Sequence, residues 1–454
     1  MIHQYKLNGY NIVLDVYSGS VHSVDAVAYD VIAMYTDTPK DKIVARIREK
    51  YPEVSEADVL ECIEDVEELK ANGKLFTDDA FSARAAAFKA KTCVLKALCL
   101  HVAHSCNLAC AYCFAGQGEY SGENALMSYD VGKRAMDFLV ENSGSRTNLE
   151  VDFFGGEPLL NWDVVKRLVA YGRALEKTCG KKFRFTLTTN GVLLDPEVTD
   201  FCNKEMYNVV LSLDGRKEIH DRYRVDRAGK GSYERVVPNF QAFVKARGDG
   251  EYYVRGTYSR YNTDFLQDIL HMTELGFSKL SMEPVVSNPD EPWALSESDL
   301  PVLYEQYERL ASLMLEREKE GRPFTFYHYM VDLKNGPCIY KRISGCGSGT
   351  EYLAVTPQGE LYPCHQFVGD PHFLMGDIWK GVANTALREE FQGCSVYARE
   401  GCKDCWAKLF CAGGCAANAY HTTGSLTGVY EYGCKLFRKR MECSIMRKVA
   451  QAEE

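Results

Sequence analysis

Several features that would place a chain in a membrane, outside the cell or on a nucleic acid are missing from this sequence. Its first residues, MIHQYKLNGY, have neither the basic start nor the apolar run of a secretion signal. No apolar run approaches the ~18 residues of a membrane helix, and no block of about five basic residues is available to bind a phosphate backbone. With a net charge of −10, the sequence predicts a cytoplasmic protein without nucleic-acid or membrane partners.

The sequence also has no low-complexity tract, and its 46% hydrophobic and 26% charged residues are typical of a globular protein. Its 454 residues are enough for two or three domains with their own cores. Changes of pattern along the chain predict five regions. They are a small domain at 1–80, a connector at 81–97, an α/β domain at 98–290, bridging helices at 291–337 and a cysteine-rich domain at 338–454.

The first region has short extended runs followed by helical periodicity. QYKLNG, NIVLDVYSG and SVHSVD predict three strands joined by glycine-containing turns. Three helices follow, the last with a capping signal at Ser55 and a stop at Gly73. This order indicates a winged-helix-like domain, and FSARAAAFKAK (81–91) predicts a helical connector after it.

The second large region alternates apolar runs with longer helical or loop stretches. The runs are LCLHVA, LEVDFFGG, FRFTLTTNG, YNVVLSLDG, YYVRGTYS and KLSMEPVV. Six such runs predict an α/β fold with a parallel sheet, either open or barrel-like. Polar and glycine-rich residues follow nearly every run, at the strand ends where parallel α/β folds place their chemistry.

Cysteine, in contrast, is abundant, with 18 residues. In a reducing compartment this abundance indicates metal or redox chemistry rather than disulfides. Three loop cysteines (Cys106, Cys110 and Cys113) follow the first apolar run with the spacing C-x₃-C-x₂-C. Three thiolates would hold a [4Fe–4S] cluster and leave one iron open to a ligand. A zinc site completed by His101 or His104 is the alternative.

With Tyr112 at the aromatic position, this loop resembles the C-x₃-C-x-aromatic-C signature of the radical S-adenosylmethionine (SAM) enzymes. The resemblance covers about 98–290 and implies a partial six-fold βα barrel. It further implies that the loop cysteines hold a catalytic cluster whose open iron chelates SAM. Reduction of that cluster would cleave SAM to a 5′-deoxyadenosyl radical, which takes hydrogen from a substrate.

The same resemblance assigns further SAM contacts to residues near successive strand ends. They are Gly155, Gly156 and Glu157 in GGEP for the amino group, Asn190 in TTNG for the ribose, Ser212 and Asp214 in SLDG, and Arg224 in HDRYR for the methionyl carboxylate. Each short motif alone would indicate no more than a turn. Their joint order along the chain makes the pattern specific.

Seven C-terminal cysteines form a second pattern, in which C-x₂-C-x₅-C-x₃-C is flanked by cysteines on both sides. It resembles the SPASM extension of radical SAM enzymes, which carries two further [4Fe–4S] clusters. The resemblance implies one cluster on a four-cysteine group (Cys402, Cys405, Cys411 and Cys434) and one on a three-cysteine group (Cys346, Cys364 and Cys415).

Two alternatives remain open for these seven cysteines. Either Cys338 completes the three-cysteine group, or that cluster has an open site that could bind a substrate thiolate. Paired structural zinc sites would be the simpler use of the cysteines. The cysteines outside the three groups are expected to be ordinary small buried residues, and they are Cys62, Cys93, Cys99, Cys179, Cys202, Cys394 and Cys443.

The first 80 residues resemble the RiPP recognition element, which binds the leader of a ribosomally made peptide as an added strand. The expected surface is the third strand (20–25) beside the third helix (58–70). A DNA-binding winged helix is the alternative, but the acidic residues of that helix would repel phosphate. The resemblance implies a cysteine-rich precursor peptide as partner, bound through its leader.

The three parts together resemble the maturases of "six cysteines in forty-five residues" (SCIFF) peptides, which join a cysteine sulfur to a carbon as a thioether. Such an enzyme needs an electron donor such as a flavodoxin or ferredoxin. One alternative is radical oxidation of a side chain without cross-linking, as in sulfatase maturation. Those enzymes carry aspartate where this chain has His365, which argues against that alternative. The other is a non-catalytic iron–sulfur protein that binds peptides or transfers electrons.

Overall fold

The computed structural model describes residues 1–83, 85, 94–120, 122, 124–334 and 336–453. Most of the predicted helical connector at 81–91, together with Cys93, lies outside the described residues. No helix within the described ranges has both the length and the apolar character needed to cross a membrane. The cysteines that the structure describes are all free thiols.

The N-terminal unit has the three strands and three helices that the sequence predicts. The strands are antiparallel in the order β1 (Ile2–Leu7), β2 (Tyr10–Asp15) and β3 (Val21–Val24), and the helices are α1 (Ala26–Met34), α2 (Lys40–Lys50) and α3 (Glu56–Ala71). A reciprocal capping box between Ser55 and Asp58 starts α3. The unit has its own hydrophobic core, which includes Val13, Ile47 and Val59.

The central sheet confirms the predicted α/β fold, since all six apolar runs form parallel strands. They are β4 (Ala97–His104), β6 (Asn148–Gly155), β7 (Lys182–Thr189), β8 (Asn208–Ser212), β9 (Tyr252–Tyr258) and β10 (Lys279–Pro284), with the short β5 (Ala125–Leu126) antiparallel to β4. Neighbouring strands in this order pair with each other, and β11 (Thr325–Phe326) extends the sheet beyond β10.

Helices connect these strands. They are α4 (Tyr129–Glu141), α5 (Trp162–Cys179), α6 (Pro196–Glu205), α7 (Lys217–Tyr223), α8 (Tyr233–Arg247), α9 (Leu266–Glu274) and α10 (Leu300–Lys319). Alternate strand residues such as Val151 and Phe153 are fully buried, and the Phe153 ring stacks on Phe185 of the next strand. The other face carries Asp152 and Phe154, so every strand contributes side chains to both sides of the sheet.

The C-terminal region is more regular than its sequence pattern suggests. Its strands are β12 (Tyr352–Val355), β13 (Glu360–Tyr362), β14 (Gly376–Asp377) and β15 (Gly381–Val382), and its helices are α11 (Ile339–Ser344), α12 (Thr385–Gly393), α13 (Lys408–Cys411), α14 (Ala416–Thr423) and α15 (Glu431–Glu453). Strand β12 pairs in parallel with β4. The cysteine-rich region therefore continues the central sheet, beside the strand that leads into the loop cysteines.

The long C-terminal helix α15 joins the other regions. It packs against α10, and Tyr5 of β1 donates a hydrogen bond to the carbonyl oxygen of Glu442 at 2.9 Å. His3 of β1 also lies 3.0 Å from the Glu442 carboxylate. The N-terminal unit thus contacts the C-terminal helix through β1.

Candidate functional site

The loop cysteines follow β4 directly, at the carboxyl end of the sheet. Main-chain hydrogen bonds from Ala109 to Val225 (2.7 Å) and from Ala111 to Tyr223 (3.2 Å) hold the loop against the segment after α7. Burial raises the pKa of Cys106 to about 12, with smaller contributions from Glu157 and the other two loop cysteines. The three thiols are therefore close enough to interact electrostatically, and neutral thiols are the form that burial favours.

Glycines bring the end of β6 against this loop. A Cβ on Gly156 would lie 2.1 Å from the carbonyl oxygen of Ser105, and one on Gly155 would lie 2.3 Å from that of Ala103. Gly155 also has a φ of +127°, which favours glycine. The two glycines of GGEP therefore allow the backbone at the end of β6 to approach the backbone that leads to Cys106.

We expect Gly156→Ala to displace the cysteine loop, because the added methyl group meets backbone rather than a flexible side chain. The cost should be about 1–3 kcal/mol in the free energy of unfolding, together with lower iron content after anaerobic reconstitution. Gly393→Ala is the matched control, since its Cβ would meet nothing within 4 Å. Equal stability and iron content in the two variants would contradict the prediction.

The Glu157 side chain ties two strand ends together. It is 1% exposed, and its carboxylate accepts hydrogen bonds from the Leu159 amide at 3.0 Å, the Thr189 hydroxyl at 2.8 Å and the Asn190 amide at 2.8 Å. Burial raises its pKa to about 7. The side chain is thus engaged within the protein, and a contact with the SAM ammonium group stays a prediction.

Asn190 extends this connection to the cysteine loop. Its Nδ2 donates to Asn107 Oδ1 at 2.7 Å and lies 3.6 Å from Cys106 Sγ. Residues that closely follow β4, β6 and β7 are therefore in contact with one another. The ribose contact predicted for Asn190 remains untested by this geometry.

Tyr112, Asp214 and Arg224 form a buried network on the other side of the loop. Asp214 is fully buried and accepts hydrogen bonds from the Tyr112 hydroxyl, from Arg224 Nε at 2.9 Å and from the Thr257 amide at 3.0 Å. Arg224 Nη2 lies 3.2 Å from the second carboxylate oxygen. Ser212 is half-buried at the end of β8. The sequence places these residues near SAM but does not predict that three of them bind one another.

The C-terminal cysteines assemble in the two groups that the sequence pattern distinguishes. Burial raises the pKa of Cys364 to about 12, and the neighbouring Cys415 and Cys346 raise it further. Burial likewise raises the pKa of Cys411 to about 11, with added effects from Cys402 and Cys405. Cys434, on α15, interacts with Cys411 and Cys402.

The donors of the three groups are all thiols of cysteine, the residue that holds iron–sulfur clusters. Within the described ranges, no three His, Cys, Asp or Glu side chains surround a position that could hold one metal ion. The thiolates of a four-iron cluster bind its separate corners and so stand farther apart.

His101 and His104, the candidate fourth zinc ligands, hydrogen-bond to each other at 3.1 Å. Cys338 is exposed at the start of α11.

The other cysteines are less uniform than expected. Cys99, Cys202 and Cys443 are buried as predicted. The prediction of burial is wrong for Cys62, Cys179 and Cys394, which are partly exposed. These three cysteines lie near helix surfaces or helix ends.

His365 connects the chain beside the three-cysteine group with the chain beside the loop cysteines. Its ring is 5.5 Å from that of Phe114, which follows Cys113, and 5.1 Å from that of Phe154 on β6. Because His365 itself follows Cys364, residues next to Cys113 and Cys364 are in contact. Burial lowers its pKa to about 4.

A polar cluster that sequence reasoning missed lies on the same face of the sheet. Arg255 of β9 donates to the Glu283 carboxylate of β10, and His328 lies 3.7 Å from that carboxylate. Ser281 is 3.1 Å from the same imidazole. The sequence signal for this cluster was Arg255 within YYVRGTYS and Glu283 within KLSMEPVV, because a charge inside an apolar strand indicates a polar cavity.

Asp152 on this face should make stability depend on pH. Burial and the nearby Glu150 raise its pKa to about 7, so the folded protein keeps a proton that the unfolded chain releases. The contribution of Asp152 to the free energy of unfolding should therefore fall by about 2 kcal/mol between pH 5 and pH 7 and level off above. Urea denaturation of the wild type and Asp152→Asn across this range checks it, because the difference in stability between the two should change by this amount. Parallel pH profiles would contradict the assignment.

Comparison with known proteins agrees with this geometry. Residues 100–264 match the family model of the radical SAM superfamily. This segment is a radical SAM domain. The match includes the cysteine loop, the GGEP turn and the Tyr112–Asp214–Arg224 network of the radical SAM domain, and it ends before the three- and four-cysteine groups.

Three similar proteins extend the comparison. The cysteine-type anaerobic sulfatase-maturating enzyme of Clostridium novyi is 25% identical over 336 residues, covering 69% of this chain and 86% of that enzyme. The structure of native anSMEcpe with bound AdoMet has a TM-score of 0.66 at 21% identity, covering 79% and 99%. Streptococcus suis SuiB bound to precursor peptide SuiA has a TM-score of 0.52 at 14% identity, covering 94% and 97%. The two structures show that the radical SAM domain and its surroundings share their fold.

Proposed function

We propose that this protein is a radical SAM peptide maturase that forms thioether cross-links in a cysteine-rich, ribosomally made peptide. The observation that carries the proposal is the presence of three separate cysteine groups, with His365, next to Cys364, in contact with Phe114, next to Cys113. A thioether-forming enzyme must hold a carbon and a sulfur of one substrate side by side. A contact that joins the chain beside two of the groups suits that task.

The loop cysteines would hold the first cluster. When bound, this cluster and SAM supply a 5′-deoxyadenosyl radical that abstracts hydrogen from a substrate carbon. The chain's own residues fix the geometry: Glu157 and Asn190 hold strand ends against the loop, and Asp214 anchors Tyr112. The glycine backbone of GGEP packs directly against the backbone of Ser105, next to Cys106.

The three-cysteine group would bind the substrate sulfur. Cys364 is buried, whereas Cys346 and Cys415 are exposed, so a peptide thiol can approach the group from outside. His365 is placed to contact whatever lies between this group and the loop. The four-cysteine group, completed by Cys434 of α15, would hold the remaining cluster and pass electrons on.

The N-terminal unit would bind the leader peptide. Its strand β3 lies at the edge of the small sheet, where an added strand can pair. Beside it, α3 exposes a row of carboxylates, among them Glu61, Glu64 and Glu68. A leader with basic residues would complement this face. The same carboxylates disfavour DNA. SuiB, whose structure contains its precursor peptide, matches 94% of this chain including this unit.

The test is mass spectrometry of a cysteine-rich peptide encoded beside the gene, after anaerobic incubation with SAM and reductant. Each thioether should remove two hydrogens and make one cysteine unreactive to alkylation. Cys110→Ala should give unmodified peptide, and Cys179→Ala, outside the three groups, should match the wild type. SAM cleavage without any change in peptide mass would contradict the proposal.

A second candidate function is oxidation of a peptide side chain without cross-linking. The similarity to the Clostridium novyi sulfatase-maturating enzyme favours it. Conversion of a cysteine to an aldehyde removes its sulfur, so the mass change differs from that of a thioether. The same experiment therefore separates the two reactions, and a non-catalytic protein would release no 5′-deoxyadenosine.

A further inference from the structure

The loop between Cys402 and Cys411 lies against the N-terminal unit. The Trp406 ring stacks on His3 of β1, with centroids 3.9 Å apart and an interplanar angle of 5°. Since His3 is also 3.0 Å from Glu442 of α15, the N-terminal strand bridges the cysteine loop and the helix that carries Cys434. Two elements of the four-cysteine group are thus in contact with a residue more than 400 positions away in sequence.

Lys408, in the same loop, is a buried cation. Its side chain is 4% exposed, and its ammonium lies 3.4 Å from Asp79 Oδ2 of the N-terminal unit. The ammonium also donates to the Tyr17 hydroxyl at 3.2 Å and to the Lys403 carbonyl oxygen at 3.1 Å. The Tyr17 and Tyr397 rings lie 4.9 and 5.2 Å from it. Two of these partners, Asp79 and Tyr17, come from the N-terminal unit.

Asp79 is held in place by a chain of contacts from β2. The buried Asp15 accepts hydrogen bonds from the Thr77 hydroxyl at 2.6 Å and from its amide at 3.3 Å, which fixes the segment that follows α3. The Tyr397 hydroxyl then donates to Asp79 Oδ1 at 2.8 Å. The carboxylate is therefore positioned by both regions that meet at Lys408.

Burial allows the positive charge of the Lys408 ammonium to act on groups that it does not touch. A cation among aromatic rings is screened less than one in water, so its field reaches neighbouring groups more strongly. The Lys403 carbonyl that accepts a hydrogen bond from the Lys408 ammonium at 3.1 Å directly follows Cys402, and Lys408 itself lies between Cys405 and Cys411. The positive charge of Lys408 therefore stands beside the chain that carries the cysteines of this group.

We propose that Lys408, paired with Asp79, sets the reduction potential of the iron–sulfur cluster in the four-cysteine group. The inference rests on the proposed function, because it requires that these cysteines hold a cluster. Reduction adds one electron to the cluster and no proton, so the cluster becomes more negative. The Lys408 ammonium stabilises that added charge, and the Asp79 carboxylate opposes it. Lys408 acts as a positioning residue, since it does not touch the peptide substrate.

The test is an anaerobic redox titration of the full-length, reconstituted enzyme with dithionite, followed by electron paramagnetic resonance. The signal that Cys402→Ala removes identifies the four-cysteine cluster. Lys408→Gln should shift its potential to more negative values by at least a tenfold change in the reduction equilibrium, which is about 59 mV for one electron. Asp79→Asn should shift the potential in the opposite direction.

Lys403→Gln is the matched control. Lys403 is in the same loop and adjoins Cys402, but its side chain is 58% exposed and pairs with Glu400, so solvent screens its charge and the potential should stay unchanged. Lys408→Arg should restore the wild-type value.

Opposite shifts in the two charge variants would establish an electrostatic role, because loss of structure would not change sign. The inference is overturned if Lys408→Gln keeps the full signal at the wild-type potential, or if both variants shift the same way. If Lys408→Gln does not retain its cluster, the Asp79→Asn variant tests the inference alone. A shift of its potential to more positive values supports the inference, and an unchanged or more negative potential overturns it. If Cys402→Ala changes neither iron content nor the spectrum, the cluster assignment itself fails, and this inference with it.

Discussion

Replacing Cys106, Cys110 and Cys113 together by alanine should reduce release of 5′-deoxyadenosine from SAM by roughly a thousandfold or more, which is about 4 kcal/mol in activation free energy. The three thiols lie together in one loop at the end of β4, and the four-cysteine and three-cysteine groups are built from separate segments. Loss of the loop site should therefore leave the other two intact. Chromatographic assay of 5′-deoxyadenosine checks the prediction.

Iron analysis of the same variant makes the result specific. About a third of the reconstituted iron should be lost if the chain holds three clusters of equal size. Cys179→Ala, a partly exposed cysteine at the end of α5, should lose neither iron nor SAM cleavage. If the triple variant still cleaved SAM at the wild-type rate, the loop could not be the catalytic site.

Asp214→Asn should lower the free energy of unfolding by about 3–5 kcal/mol, because it leaves the Arg224 guanidinium buried without its carboxylate. The side chains of Asp214 and Arg224 are 0% and 13% exposed, so water cannot replace the lost charge. Tyr112 would lose its hydrogen-bond acceptor as well, and SAM cleavage should fall with the displaced loop. Chemical denaturation monitored by tryptophan fluorescence provides the measurement.

Glu234→Gln is the control for this ion pair. Glu234 pairs with Lys217 at 2.5 Å, but both side chains are more than half exposed, and such pairs contribute about 0–1 kcal/mol. Adding Arg224→Met to Asp214→Asn should recover part of the lost stability by removing the unpaired charge. Similar costs for Asp214→Asn and Glu234→Gln would show that the buried pair has no special role.

The strands and helices of the N-terminal unit and the six parallel strands of the central sheet could be predicted because each carries a local signal. The run YNVVLSLDG forms β8, and the capping pattern at Ser55 starts α3 at the expected residue. Strand β12 could not be predicted in the same way. YLAV is four residues long, and it becomes a strand because β4 offers it a free edge, which is a property of the folded sheet and not of the segment.

The cysteine ligand sets stay a prediction, and the sequence contains no sign of the contacts around the cysteines. Spacing cannot show that Phe114, next to Cys113, meets His365, next to Cys364, since more than 200 residues separate them in sequence. Nor can it show that Asp214 pairs with both Tyr112 and Arg224. Such contacts depend on how strand ends are brought together, and no local pattern records that.

The sequence by itself determined the parallel α/β core and the order of strands and helices in the N-terminal unit, because periodicity and capping are local properties of a chain. Only the tertiary structure decided that β12 extends the sheet beside the cysteine loop, that His365 contacts Phe114 and Phe154, and that Asp79 meets Lys408. Each of those contacts joins residues distant in sequence, and burial gives them their energetic weight.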